Sequence, residues 1–117
     1  MQSIAFAVPI LPGKTETDRE AMRSVMVGER TGEHRASRVR HGITREAVWL
    51  QQTPMGDLAV VYLEADDIAS ALAGLASSDD PFDQWFRDVV QECHGIDLTQ
   101  GMAPTEQIVD FSRDGDS

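Results

Sequence analysis

The first apolar run, Ser3–Leu11, places Ile4, Phe6, Val8 and Ile10 on one parity and closes at Pro12-Gly13. A period of two ended by turn residues predicts a strand. Thr15 then opens a Thr-x-x-Asp box with Asp18, and Glu16, Asp18 and Glu20 crowd the following turn, where free amides and the helix dipole favour carboxylates. The spacing predicts a helix from Thr15 to about Arg40. Met22, Val25, Met26, Gly32, Ala36 and Val39 share one arc of it, and Gly42 suits its C-terminal cap. Gly28 and Gly32 are the points at which such a helix would break.

Two further strand-like runs, Ala47–Thr53 and Asp57–Glu64, are joined by Pro54-Met55-Gly56, a connection with the length and composition of a hairpin. Asp66 and Asp67 open a helix of small residues, Ile68–Ala76, with Ile68, Leu72 and Leu75 as its packing stripe. The next helix is capped by Asp79 or Asp80, carries Pro81 in its first turn and stops at Gly95. Its apolar face is Phe82, Trp85, Phe86, Val89, Val90 and Cys93. Gln107–Phe111 is expected as a last short strand and Ser112–Ser117 as a frayed polar tail.

The resulting order, β-α-β-β-α-(α)-β, predicts an α+β, ferredoxin-like fold. One antiparallel sheet carries helices on one face, in a single domain over residues 1–111. The runs LAVVYL and IAFAVPIL are apolar on both parities, whereas a half-exposed antiparallel strand alternates. Helices can cover only one of the two faces. A second copy of the sheet, placed by a two-fold axis, is the economical cover for the other, and a homodimer is expected.

A chain of 117 residues, 41% apolar and 26% charged, has room for one packed core and is not a disordered segment. Cys93 is the only cysteine, which excludes an internal disulfide framework and a multi-cysteine metal site and fits a reducing compartment. No apolar run approaches the ~20 residues of a membrane span, and the N-terminus lacks the pattern of a signal peptide, so a soluble, cytoplasmic protein is expected. The net charge of −10 argues against nucleic acid or an anionic membrane as partner. That charge is uneven: residues 1–50 sum to +2 and residues 51–117 to −12. Pairing between the halves within the fold would satisfy the asymmetry.

The opening strand with Pro-Gly-Lys and a helix, the hairpin WLQQTPMGDLAVVYLEADD and the helix SSDDPFDQWF together resemble the dimeric α+β-barrel superfamily across residues 3–111. Within it, the chain is most similar to small bacterial proteins of a domain family of unknown function, and more distantly to antibiotic-biosynthesis monooxygenases and polyketide cyclases. The resemblance implies a fold and a pocket for a small organic ligand, between sheet and helices or in the barrel mouth. It does not select a chemistry. Some relatives carry a histidine just before the proline that opens the last long helix; here Asp79-Asp80 stands there, which counts against a histidine-based cyclase mechanism at that position.

Large aromatics with a polar tip suit such a pocket, so Trp49, Tyr62 and Trp85 are candidate ligand contacts, each also able simply to fill core. Gln51 and Gln52, within a strand, are expected to send at least one amide to a buried face, either toward a ligand or into cross-strand bonding. Glu29 falls in the middle of the helical apolar arc, with Glu33 and Arg40 at its margin. Buried, it would serve as a general base; paired with Arg40, it would be structural, and Arg40 is otherwise a candidate ligand contact. His34, Arg38 and His41 fall on the opposite face, where they read as an exposed basic stripe near a helix C-terminus or as a site for an anion or metal. His94 ends the last long helix and can face a pocket or the final carbonyls. A Cys93–His94 nucleophilic pair is disfavoured because neighbouring helical residues diverge. No metal site and no tightly bound organic cofactor is indicated.

Three functions fit these residues. One is a small cofactor-independent enzyme of monooxygenase, cyclase or isomerase type, acting on an aromatic or polyketide-like metabolite with Glu29 or His94 moving protons. Another is a ligand-binding module without a competent base. The third is a solid barrel working through a protein partner at the Arg30–Arg45 stripe.

Overall fold

The strand alternation read in the first run sets the architecture. In the computed structural model, which describes residues 1–103 and 105–115, β1 (Gln2–Pro9) turns Ile4, Phe6 and Val8 toward the helices and Ser3, Ala5 and Ala7 away from them. β2 (Ile43–Thr53) and β3 (Gly56–Ala65) form the hairpin, and β3 lies between β1 and β2, antiparallel to both. Four helices accompany this three-stranded sheet: α1 (Thr15–Met26), α2 (Thr31–Arg40), α3 (Ile68–Ser77) and α4 (Pro81–His94), with a 3₁₀ turn at Leu98–Gln100. The chain is thus α+β, compatible with a ferredoxin-like arrangement, and among the described residues no helix is long and apolar enough to cross a membrane.

The core lies between sheet and helices. Ile43, Leu63, Ala65, Ala71 and Leu75 form its buried centre, and Ile4, Phe6, Val61, Ile68 and Leu72 pack against them. Local signals hold at the start of α3 and at both ends of α4. Asp67 Oδ1 accepts from the Ser70 amide at 3.0 Å, Asp80 Oδ1 accepts from the Phe82 amide at 2.9 Å, and Gly95 ends α4 in the left-handed conformation (φ 68°).

Two expectations are corrected. The span Thr15–Arg40 is two helices, not one. At Gly28 the backbone comes so close to Ser24 that a Cβ would sit 2.7 Å from Ser24 Cα, and Thr31 Oγ1 donates to the Gly28 carbonyl at 2.8 Å. The break restarts the helical phase, so α2 presents a different face from that of a continuous helix. Val39 ends up 67% exposed, while Ser37 and Arg38 are buried. The second correction is the expected last strand. Gln107–Phe111 forms no strand, and Ile108, Val109 and Phe111 stand exposed. An apolar alternation becomes a strand only when an edge satisfies its amides, and no strand of the described chain pairs with it. Of the expected polar tail, Ser112–Gly115 is described and residues 116–117 lie outside the described residues.

One face of the sheet carries the helices; the other carries Ala5, Ala7, Ala47, Trp49, Val60 and Tyr62, cross-strand neighbours in register. Trp49 is 55% exposed there.

Candidate functional site

Between the helical face of the sheet and the helices lies a cavity of about 340 Å³. Its wall is mainly apolar: Phe6 and Val8 from β1, Val61 and Leu63 from β3, Leu72 and Leu75 from α3, Phe86 and Val90 from α4, and Leu98 and Met102 beyond it. Four ionisable side chains interrupt that wall: Asp18, His94, Arg38 and Glu46. They belong to two pairs.

His94 is the last residue of α4, so the Gly95 cap that stops the helix also fixes the imidazole against β1. Its Nδ1 donates to the Pro9 carbonyl at 2.9 Å, and its Nε2 stands 3.5 Å from Asp18 Oδ1. Both side chains are more than nine-tenths buried. Burial alone would lower the imidazole pKa, but the Asp18 carboxylate and the Pro9 carbonyl outweigh it and raise the value above that of a free histidine. Asp18 reaches this place because the Thr-x-x-Asp box does not close on itself. Thr15 Oγ1 donates instead to Asp57 on β3, at 2.6 Å, and the start of α1 has no side-chain cap.

Arg38 and Glu46 form the second pair. Nε and Nη2 of Arg38 donate to the two carboxylate oxygens of Glu46 at 2.9 and 3.1 Å, its Nη1 donates to Ser37 Oγ, and its guanidinium lies 4.5 Å over the Phe86 ring. His34 Nε2 adds a contact to Glu46 at 2.7 Å. Burial pushes the Glu46 carboxyl up, yet the hydrogen bond from His34 and the charge of Arg38 win and hold it at about 2. Glu46 faces inward because β2 carries a bulge between Ile43 and Arg45. The extra residue, Thr44, lets both Ile43 and Glu46 point to the helices.

Behind these pairs, α2 and α4 are joined through Asp83, which is completely buried. It accepts from Ser37 Oγ, from His41 Nε2 at 2.9 Å and from Arg40 Nη2 at 3.1 Å. Burial raises its pKa, but bonds from Ser37, Ser78, His41 and Arg40 dominate and keep the carboxyl well below the usual range. With Lys14–Glu92 at the other end of α4, these bonds pair the basic first half of the chain with the acidic second half.

Of the candidates named from sequence, His94 and Arg38 line the cavity. Glu29 lies in the turn between α1 and α2, 79% exposed, beside Arg30. Arg40 is engaged with Asp83 and Asp80. Trp85 packs between Phe82 and the Arg30 guanidinium, 4.1 Å over its ring. Trp49 and Tyr62 lie on the open face of the sheet, where the Tyr62 hydroxyl donates to Glu64 at 2.6 Å, a bond that raises its pKa. Both Gln51 and Gln52 are exposed, so neither sends its amide to a buried face. The basic stripe of His34, Arg38 and His41 is not a surface: the break at Gly28 turns it inward onto Glu46 and Asp83. Cys93 is buried and burial raises its thiol pKa, so it remains a packing group. Among the described residues, no cluster of three or more His, Cys, Asp or Glu side chains is placed to hold a metal ion.

Set against protein-family models, curated proteins and solved structures, the chain matches none of them.

Proposed function

We propose that this protein binds a small, mostly apolar metabolite between its sheet and helices and acts on it as a cofactor-independent enzyme of isomerase or cyclase type, with His94 moving the proton. The observation that carries the reading is the apolar cavity bordered by a buried imidazole–carboxylate pair. A dry wall with few polar groups binds apolar carbon, and a fixed imidazole beside a carboxylate is suited to general acid–base work. An aromatic or polyketide-like molecule is the class of ligand that fits such a wall.

The test begins with a fluorescent apolar probe, N-phenyl-1-naphthylamine, and with native mass spectrometry of freshly purified protein to identify any retained metabolite. Wild type is expected to bind the probe and Ala59→Phe, which fills the cavity from the middle of β3, to lose it with at most a small change in stability. His94→Phe is expected to keep the probe but to lose conversion of the retained metabolite. Equal binding by wild type and Ala59→Phe would place the ligand elsewhere. Binding with no conversion by wild type would leave a ligand-binding module, a reading favoured by the complete mutual satisfaction of Arg38 and Glu46.

We also propose that the chain is a dimeric α+β barrel in which two copies meet through the open sheet face. The support is the apolar, uncharged centre of that face around Val60, Ala7 and Trp49, together with the unpaired apolar residues Ile108, Val109 and Phe111. Val60→Glu is expected to give a folded monomer in sedimentation velocity where wild type runs as a dimer. A monomeric wild type at micromolar concentration would defeat the dimer.

A further inference from the structure

His94 is held so that only one ring nitrogen is free to meet a ligand. Nδ1 lies 2.9 Å from the Pro9 carbonyl oxygen, and a carbonyl oxygen only accepts, so Nδ1 carries a hydrogen. Nε2 stands 3.5 Å from Asp18 Oδ1, longer than the roughly 2.7–2.9 Å of a full charge-assisted hydrogen bond. Its hydrogen is drawn toward Asp18 without being consumed by it, and both side chains border the cavity. The remaining charged groups of the wall answer each other. All the nitrogens of Arg38 are engaged, Nε and Nη2 by Glu46 and Nη1 by Ser37. Each cation in the wall has its own carboxylate. An anion entering the cavity would meet two buried carboxylates and no unpaired cation, at a heavy desolvation cost, whereas an uncharged hydrogen-bond acceptor meets no such conflict.

We propose that the cavity takes an uncharged, mostly apolar carbonyl compound whose oxygen accepts a hydrogen bond from His94 Nε2, with Asp18 as the positioning residue that keeps the imidazole turned to it. This rests on the cavity being a ligand site and goes beyond it in naming the ligand chemistry. The groups facing His94 are Asp18 from α1 and the Pro9 carbonyl from β1, with Arg38 and Glu46 across the cavity and the Lys14–Glu92 pair on the exposed side of α4. Of these, Asp18 and the Pro9 carbonyl favour the charged imidazole, the stronger donor, against the burial that opposes it.

Three probes built on one naphthalene ring separate the possibilities: naphthalene, 2-acetylnaphthalene and its near-isostere 2-naphthoate, each competing with N-phenyl-1-naphthylamine. At about pH 6 the ketone is expected to bind about ten-fold more tightly than naphthalene, and 2-naphthoate more weakly than the ketone. As pH rises the ketone's advantage fades while naphthalene binding stays level, because the donor loses its charge. His94→Phe is expected to abolish the advantage, and His94→Gln to retain a smaller, pH-independent one. Asp18→Asn is expected to move the pH midpoint of the advantage downward, a change that a purely structural role would not produce. A ketone no better than naphthalene, or a naphthoate that binds most tightly, overturns the proposal while the cavity reading stands. Failure of N-phenyl-1-naphthylamine itself to bind overturns both.

Discussion

Asp83→Asn is expected to lower the unfolding free energy by about 3–5 kcal/mol, the largest effect of any single substitution considered for this fold. The carboxylate is fully buried and is the common acceptor for Ser37, Arg40 and His41. An amide of the same shape turns an NH₂ group toward one of those donors and removes the negative charge that the Arg40 guanidinium and the His41 ring face, leaving buried polar groups without partners. Because these bonds are what ties α2 to α4, the loss should appear as a lower urea midpoint with an unchanged slope, the signature of lost stability without a changed denatured state. Glu92→Gln serves as the comparison. Glu92 is half exposed in its pair with Lys14, and breaking that pair should cost less than about 1 kcal/mol. Equal losses for the two variants would show that Asp83 is solvated and does not hold the helices together.

Acid should unfold the protein through Glu46. Held at about 2 in the folded chain against an ordinary value of 4.5, this carboxyl contributes about 3 kcal/mol at neutral pH. The folded pKa is the lower one, so the contribution is complete above the unfolded value and is lost as pH falls from roughly 5 toward 2. Asp83, also depressed, adds in the same direction. Urea midpoints measured from pH 7 to pH 2 are expected to fall steeply below about pH 5 in wild type. Glu46→Gln should start lower and fall less, since glutamine has no proton to gain. Parallel curves for the two proteins would exclude Glu46 as the source of acid lability. His94 acts oppositely: its raised pKa gives stability that is present below the unfolded value and is lost as pH climbs through the folded one.

How legible this was in the sequence depends on the range of the signal. The hairpin, the caps Asp67 and Asp80, the Gly95 terminator and the stripes of α3 and α4 were readable because each rests on neighbours a few residues apart. His94 was reachable by the same logic, since its place at the end of a helix follows from the glycine that follows it. The partners that make it a site were not. Asp18 looked like part of a helix cap, and only the contact of Thr15 with Asp57 freed it to face His94. Glu46 fell just outside the strand read as Ala47–Thr53, and it faces inward because β2 begins earlier, at Ile43, with a one-residue bulge. Glu29 and the stripe of His34, Arg38 and His41 exchanged their inside and outside roles because a single close approach at Gly28 reset the helical phase.

The sequence by itself therefore determined the hairpin and the two helices that follow it, the placement of an apolar core between one sheet and its helices, and the two-sided hydrophobicity of β1 and β3. These follow from periodicity and from turn and capping chemistry that act over a few residues. Only the tertiary structure decided which face of α2 is buried, that Gln107–Phe111 forms no strand within this chain, and that Asp18 from α1 meets His94 from α4 beside an apolar cavity. The physical reason is one of leverage: a bulge or a kink shifts every side chain after it by a fixed rotation. Residues far apart in the chain come together only when all those rotations have been summed in three dimensions.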